Sequence, residues 1–298
     1  MKVYVSNYLS KSISIIDYDS LTLENEIKLD ENIYPHHFCI DKETKKMYLP
    51  SSSNGILYIL DMNSEKIIDS SSIGGSLSQI AMYKEEIFIA NEDSNSIYFM
   101  DKNTLDPIGM ISVDDMPHGF CFDLPRKKLY VPCMDSITCI DIINKVIEKK
   151  IDIDFKAWHV QLDKYKSEIY VSTLDGNVVI IDEELLNTKK VFDEFLLPVQ
   201  ISFNYKDKKV YIADLGYKNV KMIDYNQSKY IGSIDIEGIP QGLEISPDEE
   251  RLFISDTQNN SLKVYDTSTN QLIKVIKVGR TYNNNLYVGS SEYPLLIN

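Results

Sequence analysis

The sequence predicts an all-β protein made of seven repeated units, each containing four short strands. An aromatic residue that opens an apolar strand recurs every 40–44 residues, at Tyr4, Tyr48, Phe88, Tyr130, Tyr170, Tyr211 and Phe253. An aspartate that closes another apolar strand keeps the same spacing, at Asp17, Asp61, Asp101, Asp141, Asp182, Asp224 and Asp266. No segment carries a helical apolar stripe longer than a couple of turns. Seven four-stranded units of this length are typical of a seven-bladed β-propeller.

The four strands of a unit follow a fixed order, which the last unit shows clearly. The first strand, Leu243–Ile245, alternates large and polar residues, and the turn Ser246–Glu249 follows it. The second strand contains Leu252–Ile254, and the third runs from Leu262 to Asp266. Because an aspartate carboxylate accepts backbone N–H groups, the residue that closes the third strand is expected to start a tight turn. The fourth strand, Leu272–Ile276, is short and weaker.

The two ends of the chain are expected to share one blade. The chain begins on a second strand, at Tyr4, without a first strand before it. After the seventh unit, Asn285–Gly289 provides an additional strand. We expect this C-terminal strand to complete the blade begun by residues 1–30 and so to close the ring. Residues 1–298 are therefore predicted to form a single seven-bladed domain, since both residue series run through the chain without a linker.

Four segments resemble the repeat of YVTN-family β-propellers, which runs P-x-G-(I/V)-A-x-S-P-D-G, then L-Y-V-T-N, then V-x-V-I-D. These segments are Tyr4–Asn7, Tyr130–Pro132, Pro240–Asp248 and Val264–Thr267. The resemblance implies the seven-bladed fold, whereas the family's roles range from ligand binding and surface scaffolds to domains of redox enzymes. An antibiotic lyase is also a seven-bladed propeller, so by analogy an enzyme that catalyses an elimination is a further option. The P-x-G turn is replaced at Ser76–Gln79 and Lys156–His159, where a specific site could have been built.

Composition and charge exclude several classes of protein. The chain is 43% apolar and 26% charged, which is ordinary for a globular protein. Its net charge of −14 repels phosphate backbones and anionic bilayers, so neither nucleic acid nor membrane is expected as a partner. No stretch approaches the length of a membrane helix. The four cysteines form no CxxC pair and are expected to be buried and reduced. The first residues have strand character and no signal-peptide pattern follows them, which together with the lack of a membrane stretch indicates a cytoplasmic protein, and we expect a monomer.

The candidate site lies at one mouth of the central channel. The first and second strands of a blade are antiparallel neighbours, so the start of the first and the end of the second lie at the same end of the blade. The residues just before the first strand and just after the second are therefore expected at this mouth. All four histidines and the only tryptophan fall before first strands. The predicted ligand-binding residues are His36, His37, Asn91, Trp158, Gln200, Asp214, Gln241 and Asp256. The chemistry of imidazole adds two options, a divalent metal such as zinc or copper on His37, His118 and His159, or acid–base catalysis by His118 and His159.

Three functions stay open at this point. The first is binding of a small polar ligand or metal at the histidine-rich mouth. The second is a protein interaction scaffold, since the chain carries 20 tyrosines, a residue favoured at interfaces. The third is a lyase, isomerase or hydrolase that uses histidine acid–base chemistry at the same mouth. The sequence contains no P-loop, no dinucleotide-binding glycine motif, no HExxH and no GxSxG, so cofactor enzymes with those signatures are disfavoured.

Overall fold

A computed structural model describes residues 1–281 and 286–289, with only the backbone described in the second range. These residues form 28 strands arranged in seven four-stranded antiparallel sheets, and they contain no helix. The sheets are the blades of a seven-bladed β-propeller, which confirms the predicted fold class. We number the blades in chain order.

The chain forms two compact units, which are described separately. Unit one contains blades 1, 6 and 7 and is formed by residues 1–36 together with the described residues from 195 on. Its strands are β1 (Lys2–Asn7), β2 (Ser12–Asp17), β3 (Thr22–Lys28), β20 (Pro198–Asn204), β21 (Lys209–Asp214), β22 (Asn219–Asp224), β23 (Lys229–Asp235), β24 (Pro240–Ile245), β25 (Arg251–Asp256), β26 (Ser261–Asp266), β27 (Leu272–Lys277) and β28 (Leu286–Gly289).

Unit two contains blades 2 to 5 and includes His37–Glu194. Its strands are β4 (Cys39–Asp41), β5 (Lys46–Pro50), β6 (Ile56–Asp61), β7 (Lys66–Ser72), β8 (Leu77–Tyr83), β9 (Glu86–Asn91), β10 (Ser96–Asp101), β11 (Pro107–Ser112), β12 (Cys121–Asp123), β13 (Lys128–Cys133), β14 (Ser136–Asp141), β15 (Val146–Asp152), β16 (Ala157–Asp163), β17 (Glu168–Thr173), β18 (Val178–Asp182) and β19 (Thr188–Phe192). The prediction that no part of the chain folds independently stays a prediction, and limited proteolysis can test it.

Blade 1 combines strands from the two ends of the sequence. Its strand order is β28-β1-β2-β3, and β28 runs antiparallel to β1. Lys2 lies opposite Gly289, and Val5 lies opposite Leu286. The predicted C-terminal strand is therefore confirmed over Leu286–Gly289, while Asn285 lies outside the described residues.

The aspartate series forms the same turn in all seven blades. Each carboxylate accepts the backbone N–H of the third residue after it, as Asp141 does from Asn144 at 2.9 Å. The fourth residue after each aspartate has a φ angle between 50° and 59°, at Leu21, Glu65, Leu105, Lys145, Leu186, Ser228 and Asn270. These carboxylates therefore serve as turn acceptors, as the sequence predicts.

The aromatic series packs the blades against one another. Six of its members are at most 1% exposed: Tyr48, Phe88, Tyr130, Tyr170, Tyr211 and Phe253. Within unit two, the hydroxyl of Tyr48 donates to the carbonyl of Lys102 in the next blade at 3.1 Å, and Tyr130 donates to the carboxylate of Glu183. Within unit one, Tyr211 donates to the carbonyl of Thr267 at 3.1 Å. Each acceptor residue directly follows a turn aspartate, so the two repeat series meet at the contact between blades.

The four cysteines are free thiols. Cys39 and Cys121 occupy equivalent positions, opposite Tyr48 and Tyr130 in their blades. Cys121 is 4% exposed, as expected, whereas Cys39 is partly exposed, which differs from the burial expected for it. Burial raises the pKa of both thiols, so few thiolates are present at neutral pH.

Native labelling with a thiol reagent at pH 7.5 is therefore expected to be slow at Cys121 and faster at Cys39. Mass spectrometry of the modified peptides would measure the two rates. Rapid modification of Cys121 under native conditions would contradict its burial between blades.

Candidate functional site

The predicted site residues before the first strands lie at irregular strand starts. In blade 5, β16 begins at Ala157, and a register shift between Ala157 and His159 leaves Trp158 without a cross-strand partner. Similar shifts occur in blades 6 and 7 at residues 199–200 and 241–242. A β-bulge re-aims the side chain of the extra residue, and such bulges often lie next to functional sites. Trp158, His159, Gln200 and Gln241 are thus part of their inner strands, whereas the sequence placed them before those strands.

Unit two brings three of the predicted residues, together with Glu92, into one cluster around His118. The His118 ring stacks on Trp158, with 3.9 Å between ring centroids and 24° between the planes. His37 meets the same imidazole edge-on at a centroid distance of 5.9 Å. His118 Nδ1 donates to Glu92 Oε1 at 2.7 Å. We call these four residues, His37, Glu92, His118 and Trp158, the His118 cluster.

The contact with Glu92 decides what His118 can do. Because a carboxylate only accepts, Nδ1 carries a proton, and in the tautomer that has no second ring proton Nε2 is an acceptor. The His118 side chain is 10% exposed and Glu92 is 23% exposed, so the pair is shielded from water without being sealed from it. Glu92 is itself held in place, since its N–H donates to the carbonyl of Ser76 at 2.9 Å. The arrangement is that of an oriented base or hydrogen-bond acceptor.

His159 lies beside the cluster and is more deeply buried. Its side chain is 4% exposed, and among the described residues neither ring nitrogen has a hydrogen-bond partner. Gly119 has a φ of +51°, and a Cβ there would come within 2.8 Å of His159 Cα, so the backbone of blade 4 packs directly on it. Burial, together with the charge of His118, lowers the pKa of His159 to about 3. His159 is therefore neutral at physiological pH.

Gln79 shares the unusual environment of His159. The residue is 0% exposed, and both polar atoms of its amide are without a partner among the described residues. Its neighbour Ser78 donates to the carbonyl of Pro117 at 3.3 Å, which places Gln79 close to the loop that carries His118. Leaving a buried polar group unpaired costs about 1–3 kcal/mol. Ordered water or a bound polar molecule would relieve that cost.

Three predicted ligand-binding residues are occupied by bonds within their own blades. Asn91 donates from Nδ2 to the carbonyl of Gly74 at 2.9 Å and accepts the N–H of Ser94. Asp214 accepts the N–H groups of Leu196, Leu197, Gly216 and Tyr217. Asp256 accepts from Ile239 N–H and from Asn259. At the end of the second strand, these side chains hold the loop that precedes the first strand, because that loop leaves unpaired N–H groups within their reach.

The two aspartates also form buried ion pairs inside unit one. Lys221 Nζ lies 3.4 Å from Asp214 Oδ2, and Lys263 Nζ lies 3.0 Å from Asp256 Oδ2. Burial opposes ionisation of Asp256, but the bonds from Asn259 and Lys263 outweigh it and lower the pKa of the carboxyl. Both carboxylates are neutralised locally.

The other predicted residues of unit one have mixed environments. The His36 carbonyl accepts from Ser6 Oγ at 2.8 Å, and the side chain is 9% exposed. Gln200 Oε1 accepts the N–H of Leu243 in blade 7 at 2.5 Å, so this amide links two blades. Gln241 is partly exposed on β24. Convergence of the unit-one and unit-two residues on one mouth stays a prediction.

The predicted metal option has no preformed ligand set. Across residues 1–281 and 286–289, no three His, Cys, Asp or Glu side chains are placed so that they could hold a metal ion. His37, His118 and His159 do not form such a set, and Nδ1 of His118 is committed to Glu92. The His118 cluster is therefore considered below as a ligand site without a metal.

Sequence reasoning missed two functional candidates. Glu92 follows Asn91 at the end of β9, and only the packing of blade 3 on blade 4 brings it to His118. Glu244 lies on β24 in unit one, and burial alone raises the pKa of its carboxyl to about 8. A carboxyl with such a pKa is often functional, although burial in a core has the same effect. No sequence signal singled out Glu244, because polar and apolar residues alternate along β24.

Within the described part of the chain, no helix has the length and apolar character needed to cross a bilayer.

Comparison with known proteins supports the fold and leaves the function open. No known family model matches the chain. The chain is 25% identical over 271 residues to Antigen Lp49 of Leptospira interrogans, and the match covers 88% of this chain. It spans only 44% of the length of that relative.

Solved structures show the same architecture at low identity. A functionally unknown protein from Desulfotomaculum acetoxidans superposes with a TM-score of 0.77 at 14% identity, over 93% of this chain and 97% of that one. Hydrazine synthase of Kuenenia stuttgartiensis gives 0.75 at 14% identity, over 85% and 89% of the two chains. Dihydro-heme d1 dehydrogenase NirN, in complex with DHE, gives 0.70 at 11% identity, over 96% and 74%. At these identities, the similarity establishes the fold alone.

Proposed function

We propose that the protein binds a small polar ligand at the His118 cluster. The observation that carries the proposal is the shielded imidazole of His118, oriented by Glu92 at 2.7 Å and stacked on Trp158. Holding a carboxylate and an imidazole away from water opposes folding unless the pair is well bonded, and such oriented pairs cluster at functional sites. No strand pairing requires either side chain, since both lie in segments that connect strands.

The chemistry of the cluster defines the ligand class. The imidazole of His118 and the carboxylate of Glu92 are shielded hydrogen-bonding groups, so the ligand carries hydroxyl or N–H groups that match them. Trp158 is partly exposed, and its indole offers a flat apolar surface for a planar or ring-shaped part of the ligand. The unpaired amide of Gln79 and the imidazole of His159 supply further polar contacts once the loop around His118 adjusts. A large apolar molecule would leave these groups unpaired.

Trp158 provides a direct test, because it is the only tryptophan in the chain and its fluorescence reports on this cluster. We expect at least one of three probes, inositol, adenosine or citrate, to change this fluorescence saturably. In the variant His118→Asn, the amide can still donate to Glu92 while Nε2 and the ring are lost. Binding should therefore weaken by about tenfold or more, a loss expected for one buried polar contact.

The control is Gln258→Asn, which changes an exposed amide of unit one that is not among the predicted site residues. Its binding curve should stay within about twofold of the original. Equal binding by His118→Asn and the original protein would contradict the proposal. So would the absence of a saturable response to all three probes.

Acid–base catalysis by His118 is the second candidate. The specific observation is again the Nδ1 contact with Glu92, which orients the imidazole as general bases are oriented in known enzymes, with Nε2 as the nitrogen that would take the proton. His159, with a pKa of about 3, is neutral at physiological pH and serves this role less well. For an enzyme, Glu92→Gln should lower the turnover number while changing ligand affinity little, whereas a binding protein should show no turnover at all.

A protein interaction scaffold is the third candidate, and the outer strands favour it. Several apolar side chains there are about half exposed, among them Ile108, Met110, Val146, Ile147 and Leu272. Exposed apolar groups of this kind are common at interaction surfaces. We also propose that the protein belongs to the YVTN family, which the repeat resemblance supports. The four free thiols support a cytoplasmic location, and the net charge of −14 supports the lack of nucleic-acid or membrane partners. A monomeric state is part of the same proposal.

A further inference from the structure

Unit one contains a cavity of about 440 Å³ between blades 6 and 7, far along the chain from the His118 cluster. Asp235 at the end of β23 and Glu237 in the following loop form one wall, and Tyr265 of β26 lines another. Met222 and Leu272 add apolar surface. The volume lies within the usual range for small-molecule sites, about 300–1,000 Å³.

The charge of this cavity is negative and unbalanced. Asp235 and Glu237 are exposed, and neither has a cationic partner within ion-pair distance among the described residues. Lys263 also lines the cavity, but its Nζ lies 3.0 Å from Asp256 Oδ2 and donates to the carbonyl of Ile236. That lysine is therefore already neutralised and does not offset the two carboxylates.

Tyr265 gives an independent sign of a missing partner. The residue is 5% exposed and lines the cavity, and no described residue bonds to its hydroxyl. Burial, followed by the charges of Asp235, Asp256 and Glu237, raises the pKa of Tyr265 to about 12. Its hydroxyl is therefore neutral at physiological pH and can both donate and accept. Because Tyr265 lines the cavity, a ligand placed there can bond to this hydroxyl.

We propose that this cavity binds an organic cation, either an alkylammonium or a guanidinium group on a short aliphatic stem. Asp235 and Glu237 would pair with the charge, and the Tyr265 hydroxyl would accept one of its N–H groups. Met222 and Leu272 would contact the methylene groups of the stem. A bare metal ion fits less well, because the lining is partly apolar and supplies only two carboxylates.

Two sources can supply such a group: a free amine, or a lysine or arginine side chain of a protein partner. Both present the same chemistry to Asp235, Glu237 and Tyr265. The proposal does not depend on the function proposed for the His118 cluster, since all the residues involved lie in unit one.

Agmatine, which has an ammonium and a guanidinium at opposite ends of a four-carbon chain, is the probe for a free amine. Calorimetric titration at low salt should give saturable binding. In the double variant Asp235→Asn, Glu237→Gln, the dissociation constant should rise by about tenfold or more, because both charge-assisted bonds are lost. Tyr265→Phe removes only the hydroxyl and should raise it by about three- to fivefold.

Asp152→Asn is the matched control, because Asp152 ends the outer strand β15 of blade 4 as Asp235 ends β23 of blade 6. It should leave agmatine binding within about twofold. No saturable binding by the original protein up to about 10 mM agmatine, or equal binding by all variants, would overturn the proposal. Circular dichroism of each variant guards against misfolding as the cause of a loss.

The tripeptide acetyl-Gly-Arg-Gly-amide distinguishes the two sources. If it binds about tenfold more tightly than agmatine, the occupant is the side chain of a protein partner. If it binds equally or more weakly, while agmatine depends on Asp235 and Glu237, the occupant is a free amine. Both results support the cation site.

Discussion

A chain that ends at Thr281 is expected to unfold about 10 °C or more below the full-length protein. The truncation removes β28, which pairs with β1 over four residues from Lys2 to Val5. It exposes the backbone of β1 as a free sheet edge, and it removes the contact between β28 and β24 in blade 7. Together these losses should cost about 4 kcal/mol or more, since each lost backbone hydrogen bond costs about 1 kcal/mol and apolar burial adds to it.

Differential scanning calorimetry of three chains would measure the effect of β28. A chain that ends at Gly289 retains β28 and separates its contribution from that of the residues after it. The chains that end at Thr281 and at Gly289 differ by residues 282–289, which include β28, so the comparison between these two chains is decisive. Melting temperatures within about 2 °C of each other would contradict the role of this strand in completing blade 1.

The blades could be predicted from sequence because each one repeats the same local chemistry. An aspartate that accepts the N–H of the third residue after it needs only nearby backbone, so Asp141 specifies its turn without help from other blades. The aromatic series also follows one rule, since Tyr48 and Tyr211 occupy the same buried position in different blades. Seven copies of one pattern make the strand order readable even where a single copy is weak.

The candidate site could be predicted only in part, because its geometry depends on contacts between blades. Trp158, on which His118 stacks, lies at the bulge in β16, and a strand pattern does not reveal that bulge. The role of Glu92 depends on its reach from blade 3 to blade 4. Asp214 and Asp256 look like available anions in the sequence, but the loop N–H groups that occupy them are set by three-dimensional folding.

Glu244 was beyond sequence prediction for a related reason. It lies opposite Phe253 on β25, whose ring is fully buried in a cluster with Val3, Val5 and Leu262. Within the described residues, no donor or cation bonds to its carboxylate, and burial is the sole cause of the raised pKa. In the sequence, the same residue resembles an ordinary polar position on an alternating strand. Only the approach of blade 1 makes its surroundings apolar.

Glu244→Gln is expected to stabilise the protein at pH 8 by about 1–2 kcal/mol, because Glu244 is partly exposed and water screens part of the effect, and to change its stability little near pH 4.5. The pKa of the folded protein's Glu244 is about 8, whereas the ordinary value is 4.5. Between these values the native carboxyl holds its proton while the unfolded chain releases it. A rise in pH through this range therefore favours the unfolded chain by up to about 1.4 kcal/mol per pH unit, and the loss levels off above pH 8.

Glutamine has nearly the same shape but no proton to lose, so its variant should escape this loss. Urea unfolding curves at pH 5, 6.5 and 8 would give the free energy of unfolding for the original protein, for Glu244→Gln and for the exposed control Glu250→Gln. The difference between Glu244→Gln and the original should grow with pH, because only the original protein must keep a buried acid protonated. The control Glu250→Gln removes one surface carboxylate, which pairs with Lys206. Loss of such an exposed ion pair should change the free energy of unfolding by about 1 kcal/mol or less. A difference that stays constant from pH 5 to pH 8 would mean that Glu244 is ionised and solvated in the native protein.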